Sequence, residues 1–251
     1  MNEQLSLHRV VLLLRAELLR SRRTWLVAAG TAALVALLLS SIGALDGEVG
    51  GVGFYRTVFI AGLFALGTLA TSQAFVDLHG RTTNTAFLML PASALEKTLV
   101  RLALTTVGLI LGLLVLTTVL SWVIEGINAV VFGMSRGFFV PWDRLAWTIV
   151  PHYLVVQSLF FLGGAWFRKL HYIKTVGAVL LIWFSLVTAA ATIAWIVGHP
   201  ILGGEIRIDN FDTPLEWLTQ IAEIVYYVAL PVFCWFVAWL RVSETQVSHG
   251  I

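Results

Sequence analysis

Long stretches without charge alternate along this chain with short segments that gather most of its ionisable residues. An α-helix rises about 1.5 Å per residue, so about 20 apolar residues cross about 30 Å of hydrocarbon. Six runs have that length: Trp25 to Leu45, Thr57 to Val76, Leu102 to Ile124, Leu145 to Phe167, Thr175 to Gly198 and Ile221 to Leu240. Within them apolar residues are continuous. A membrane barrel instead needs segments of about ten residues with alternating polarity, so that architecture is excluded. The first run exceeds the about 7 to 15 residues of a signal-peptide core, which makes Ser41-Ile42-Gly43 part of a retained span rather than a cleavage site. The pattern predicts an all-α, polytopic membrane protein with six transmembrane helices.

Composition agrees with that solvent. Of 251 residues, 59% are hydrophobic and 12% charged, and the mean hydropathy is +0.89, too apolar for a water-soluble domain. A net charge of +2 is too small to point to nucleic acid. The only cysteine, Cys234, lies in an apolar run, so no intramolecular disulfide can form.

The basic residues speak through their positions. With the N-terminus inside, the inner segments hold Arg9, Arg15, Arg20, Arg22, Arg23, Arg81, Lys97, Arg101, Arg168, Lys169, Lys174 and Arg241, which is 12 of the 16. Only Arg56, Arg136, Arg144 and Arg207 fall outside. This bias predicts that both termini are cytoplasmic.

Residues 1–23 add a second feature. Leu7, Val10, Val11, Leu14 and Leu18 share a helical face, with arginines spread over the rest. That describes a cytoplasmic amphipathic helix lying in the headgroup plane and bending into the first span, ahead of a six-helix domain over 24–251. The outer loops "AVVFG", "FFVPW" and "PILGGEIRIDNFDTPLEWL" mix aromatics with turn residues, as interfacial segments do.

The loop between the second and third spans, 77–97, is the least expected part of the chain. Gly80 suits the left-handed cap that ends a helix. Pro91 disfavours helix at Leu90. Ser93 with Glu96 forms a Ser-x-x-Glu capping box that starts a helix through Lys97 and Arg101, which share a face where anionic headgroups would lie. Between them "RTTNTAFLML", Arg81 to Leu90, is an apolar-ended stub too short to bury its own side chains. Phe87, Leu88, Met89 and Leu90 therefore either lie against the bilayer or fill a groove on a soluble protein.

A basic amphipathic start, six spans with both ends inside, and "LMLPASALEKTLVR" after the second span together resemble the permease subunit of ABC-2 type ATP-binding-cassette exporters. The most specific piece is "LPASALEK", Leu90 to Lys97, which is similar to a pattern in bacterial permeases of this group. The resemblance implies a bacterial inner-membrane exporter whose coupling segment includes Asp77, His79, Arg81, Thr82, Asn84, Phe87, Leu88, Met89, Leu90, Pro91, Ser93, Glu96 and Lys97. It also implies a separate ATPase subunit that binds ATP and Mg, and a second permease copy or homologue. The alternative is a membrane scaffold or regulatory subunit that recruits a soluble partner without transport.

No G-x-x-x-x-G-K-[ST] occurs in the chain, so nucleotide binding by a Walker A loop is not expected here. The Gly-rich "GEVGGVGF", Gly47 to Phe54, follows a span and opens no βαβ unit, so it reads as an external turn. Intramembrane proteolysis would need a paired His-Glu metal site, two Asp, or a Ser with a His in adjacent spans, and the apolar runs offer only His152 and Glu223 as ionisable groups. Those two are candidates for a substrate path near the outer boundary, against the plain reading of headgroup-level snorkelling. The expectation is therefore a chain that is not itself an enzyme. Pro151 and Pro231 are expected to kink their spans, and Gly62, Gly67 and Gly108-x-x-x-Gly112 to permit close helix contact.

Overall fold

In a computed structural model of the chain, residues 6–46, 51–79, 92–133, 137–198 and 212–249 are described. Every element among them is helical, and six helices are long and apolar enough to cross a membrane. The helices are α1, Leu7–Asp46; α2, Val52–Ser72; a short α3, Val76–His79; α4; α5, Arg144–Trp166; α6, His171–Gly198; and α7. Two of them are composite. α4 joins Ala94–Ala103 to Leu109–Phe132 through a π-helical turn at Leu104–Gly108, and α7 joins Asp212–Ile224 to Leu230–His249 through another at Val225–Ala229. Without water to satisfy a backbone, helices of this kind are what an apolar chain can form across a bilayer. The chain is a multi-pass membrane protein by these helices.

Helix ends follow the local sequence. The capping box forms as expected: the Ser93 hydroxyl accepts from the Glu96 N–H at 3.2 Å, and the Glu96 carboxylate accepts from the Ser93 N–H at 3.0 Å. Gly133, at φ 65°, ends α4 in the left-handed conformation that a side chain disfavours. That end lies beyond Ile124, so Glu125 and "AVVF" belong to the helix rather than to an outer loop. Of the loop that follows, Phe139 turns back into the core against Phe59, and its N–H donates to the Ser121 hydroxyl at 3.1 Å.

The N-terminal segment and the first span form one unbroken helix of 40 residues. The reason is visible in the chain: from Leu7 to Ala29 there is neither Gly nor Pro, and Leu, Arg and Ala dominate, so nothing interrupts the ladder. Its inward stripe before the span is Val10, Leu13, Leu14, Glu17 and Ser21, while Leu7, Val11 and Leu18 face outward. Two polar residues, Glu17 and Ser21, sit in the packed face, which an apolar-face reading overlooks.

α5 is the hub, packed on α2, α6 and α7, while α4 fills the space between α1, α2 and α7. One core combines Tyr55, Phe59 and Leu63 of α2 with Leu109, Leu113 and Ile124 of α4 and Tyr153 of α5. A second joins Phe75, Leu78, Phe161, Ala238 and Val242. Close approach is made at Gly67, where an added Cβ would stand 2.5 Å from the Tyr153 ring, and at Gly164, where it would meet the Ser72 carbonyl at 2.9 Å. Gly62 makes ordinary contact with Leu113, Gly112 has open space beside it, and Gly108 meets only its own helix, so the expected Gly108-x-x-x-Gly112 contact is not formed. The start of α1, Asp77, the start of α4 and the end of α7 gather at one end of the bundle, here called proximal.

Candidate functional site

At the proximal end, charges that the sequence spreads over the first 101 residues meet in one junction. Asp77 accepts both guanidinium nitrogens of Arg20, each at 3.0 Å, and Arg101 at 3.2 Å. Arg101 also reaches Glu17 at 3.4 Å. One turn before Arg101, Glu96 is fully buried, receives the Ser6 N–H at 2.9 Å and pairs with Arg9 at 3.2 Å. Three arginines thus face three carboxylates, and the ion pairs tie α1 to α3 and to the start of α4.

Lys97 and Arg101 are both buried, at 3% and 6% exposure. The expectation that they present to headgroups is corrected: the helix turns this face inward because Glu17 and Asp77 wait there to receive Arg101. A buried guanidinium needs such partners, since desolvating a lone charge is prohibitive. The Arg101 guanidinium also lies over the Phe75 ring, 5.4 Å from its centroid.

Of the expected coupling residues, Asp77, Ser93, Glu96 and Lys97 are brought together at this end. His79 closes α3. Gly80 and the stretch Arg81, Thr82, Asn84, Phe87, Leu88, Met89, Leu90 and Pro91 lie outside the described residues.

The bundle interior carries a second polar arrangement, built around the two π turns. In the first, Thr105 and Thr106 donate their hydroxyls to the carbonyls of Arg101 and Leu102 at 2.8 and 2.6 Å. Such back-bonding competes with the α-helical ladder, and Leu109 N–H accordingly reaches Leu104, five residues back. In the second, Pro231 supplies no N–H and crowds the carbonyl four residues before it, Tyr227. The ladder there also shifts by one residue, with Leu230 N–H bonded to Val225. Pro231 therefore acts through a π turn, one of the recognised causes of helix distortion.

α5 reaches both turns. The Tyr153 hydroxyl donates to the Thr105 carbonyl at 2.7 Å, and the Gln157 amide donates to the Thr105 hydroxyl at 3.0 Å. The Gln157 carbonyl accepts the Trp235 indole N–H at 3.1 Å. His152, beside Tyr153 and just after Pro151, hydrogen bonds Tyr227 of the second turn at 2.8 Å. Glu223 lies on the same helix, one turn before Tyr227, exposed. The two candidate path residues thus occupy neighbouring helices, and His152 meets Tyr226 and Tyr227 rather than Glu223, hydrogen bonding the latter tyrosine.

At the opposite end, fully buried Tyr55 donates to Glu125 at 2.8 Å, and Asn128 donates to Ser40 at 3.2 Å. Arg56 pairs with Asp143 at 2.5 Å and holds that carboxyl below the usual carboxylate range. The reading of His152 and Glu223 as the only ionisable groups of the spans left Glu125 at the outer edge, whereas its helix continues past Ile124 to Phe132, and, being confined to ionisable groups, it did not weigh Gln157. A search for neutral amides in apolar runs, as well as for charges, would have flagged Gln157, whereas Asn128 lies past the end of the third run at Ile124.

Compared with protein-family models, curated proteins and solved structures, the chain finds no match in any of the three. Among the described residues, no group of three or more His, Cys, Asp or Glu is arranged to hold a metal.

Proposed function

We propose that this chain is the membrane permease subunit of an ABC-2 type exporter and couples to a separate ATP-hydrolysing subunit. The proximal end, rich in Lys and Arg, is cytoplasmic in this reading. The observation that carries it is the charged junction flanking 80–91. Asp77 on one side and Glu96 with Arg101 on the other are ion-paired to α1.

A push by an ATPase on the apolar stub Phe87 to Leu90 would be delivered through that junction to α1, α2 and α4 together. The capping box keeps the start of α4 rigid enough to carry the displacement. It would arrive at the π turn at Leu104–Gly108, where the ladder is already shifted. Tyr153 and Gln157 would pass it to α5 and α7. A six-span chain supplies half a pathway, with a second permease copy or homologue supplying the rest, and ATP and Mg belong to the partner.

Purification from native membranes in mild detergent tests the assignment. The expected co-purifying protein carries a Walker A loop and hydrolyses ATP. Recovery of a different soluble partner, with no ATPase, would replace the exporter by a scaffold.

A further inference from the structure

A cleft of about 460 Å³ opens at the proximal end between α1 and α2, which barely touch because α1 packs chiefly on α4. We propose that it binds one zwitterionic, amine-bearing phospholipid from the adjoining leaflet, head outward and chain inward. The proposal stands apart from the ATPase assignment and requires only that the bundle sits in a membrane.

The cleft is amphipathic along its length. Glu17, Arg20, Asp77 and Arg101 line one end, and Ala28, Leu66 and Ala70 line the other. From Glu17 to Ala28 the wall of α1 rises about 16 Å, enough for a headgroup and the first part of an acyl chain. Trp25, 36% exposed, lies between the two ends, at the level where indoles favour the membrane boundary.

The charges at the mouth select the head. Two guanidiniums and two carboxylates sum to zero, so a purely anionic head would meet as much repulsion as attraction. A head with both a phosphate and an ammonium matches them: the phosphate faces the forked donors of Arg20 and Arg101, and the ammonium offers three N–H groups to Asp77 and Glu17. The Arg20 side chain is 61% exposed, so it can turn toward a ligand while Arg101 keeps Asp77 in place.

Native mass spectrometry of the detergent-purified chain, offered equimolar ethanolamine-head and glycerol-head phospholipids with identical chains, tests this. One ethanolamine phospholipid per chain should survive activation that strips the rest. Ala70→Phe, which fills the apolar end, should lower retention of either lipid about tenfold or more. Arg20→Ala should keep a lipid bound but reduce the preference about three- to fivefold. Excess soluble phosphoethanolamine should not displace the lipid. If Ala70→Phe is not monodisperse, Ala28→Phe obstructs the same space from the facing wall. Equal retention of both heads, a preference for the glycerol head, displacement by the soluble head, or unchanged retention in the filled variant would each overturn the proposal.

Discussion

At the scale of single residues, the polar groups that matter are those whose partners lie far away in sequence. Ser93 and Glu96 could be recognised because a capping box is local, with both halves within four residues. Arg101 could not be, because Glu17 and Asp77 come to it from two other elements and a basic residue at the edge of a span ordinarily snorkels. Gln157 and Thr105 were passed over for a related reason: neither is ionisable, and their meeting depends on helix packing. Tyr153 concentrates this, since it is buried, donates to the Thr105 carbonyl and rests its ring on Gly67. Tyr153→Phe should cost about 1 to 3 kcal/mol by leaving a buried carbonyl without that donor. Gly67→Ala should cost a similar amount, about 1 to 3 kcal/mol, through overpacking. In a Tyr153→Leu background Gly67→Ala should cost much less, because the flexible side chain yields. Unfolding in mixed detergent micelles measures all of these. Equal costs of Gly67→Ala in the two backgrounds would show that the ring is not what occupies this space.

At the scale of elements, the six apolar runs correspond to six helices, since a run of that length has few other ways to satisfy its backbone. Their limits were less legible. α4 starts at its cap and runs eight residues beyond Ile124, to Phe132, because polarity alone does not end a helix while Gly133 does. The π turns were not anticipated, although their causes are in the sequence: paired threonines in "LTTVG" and a proline four residues after Tyr227. α1 differs most from expectation, being continuous where a bend into the membrane plane was foreseen. Spin labels at positions 11 and 35, both outward-facing, in a Cys234→Ser background, distinguish the two. An unbroken helix places the two backbone positions about 36 Å apart, whereas a right-angle bend near Arg23 shortens this to about 25 Å. A pulsed-resonance distance distribution centred near the shorter value would restore the in-plane helix.

At the scale of the whole molecule, the ion pairs of the proximal junction tie α1, α3 and the start of α4 to one another. Buried ion pairs contribute little net stability but are costly to break singly. Such a junction suits force transmission better than it explains stability. In the proposed coupling role its use would depend on what presses on 80–91, and no periodicity of this chain alone encodes the shape of a partner. The most direct measurement of the proposed coupling is capture of the proposed partner ATPase by the chain carrying Phe87→Asp and Leu88→Asp, compared with the unaltered chain. Two charges in a docking groove would have to be desolvated without counter-ions. The variant should therefore insert, purify as a monodisperse species and lose both ATPase capture and transport-linked ATP hydrolysis. Normal capture by that variant would place Phe87 and Leu88 against lipid and contradict the coupling role.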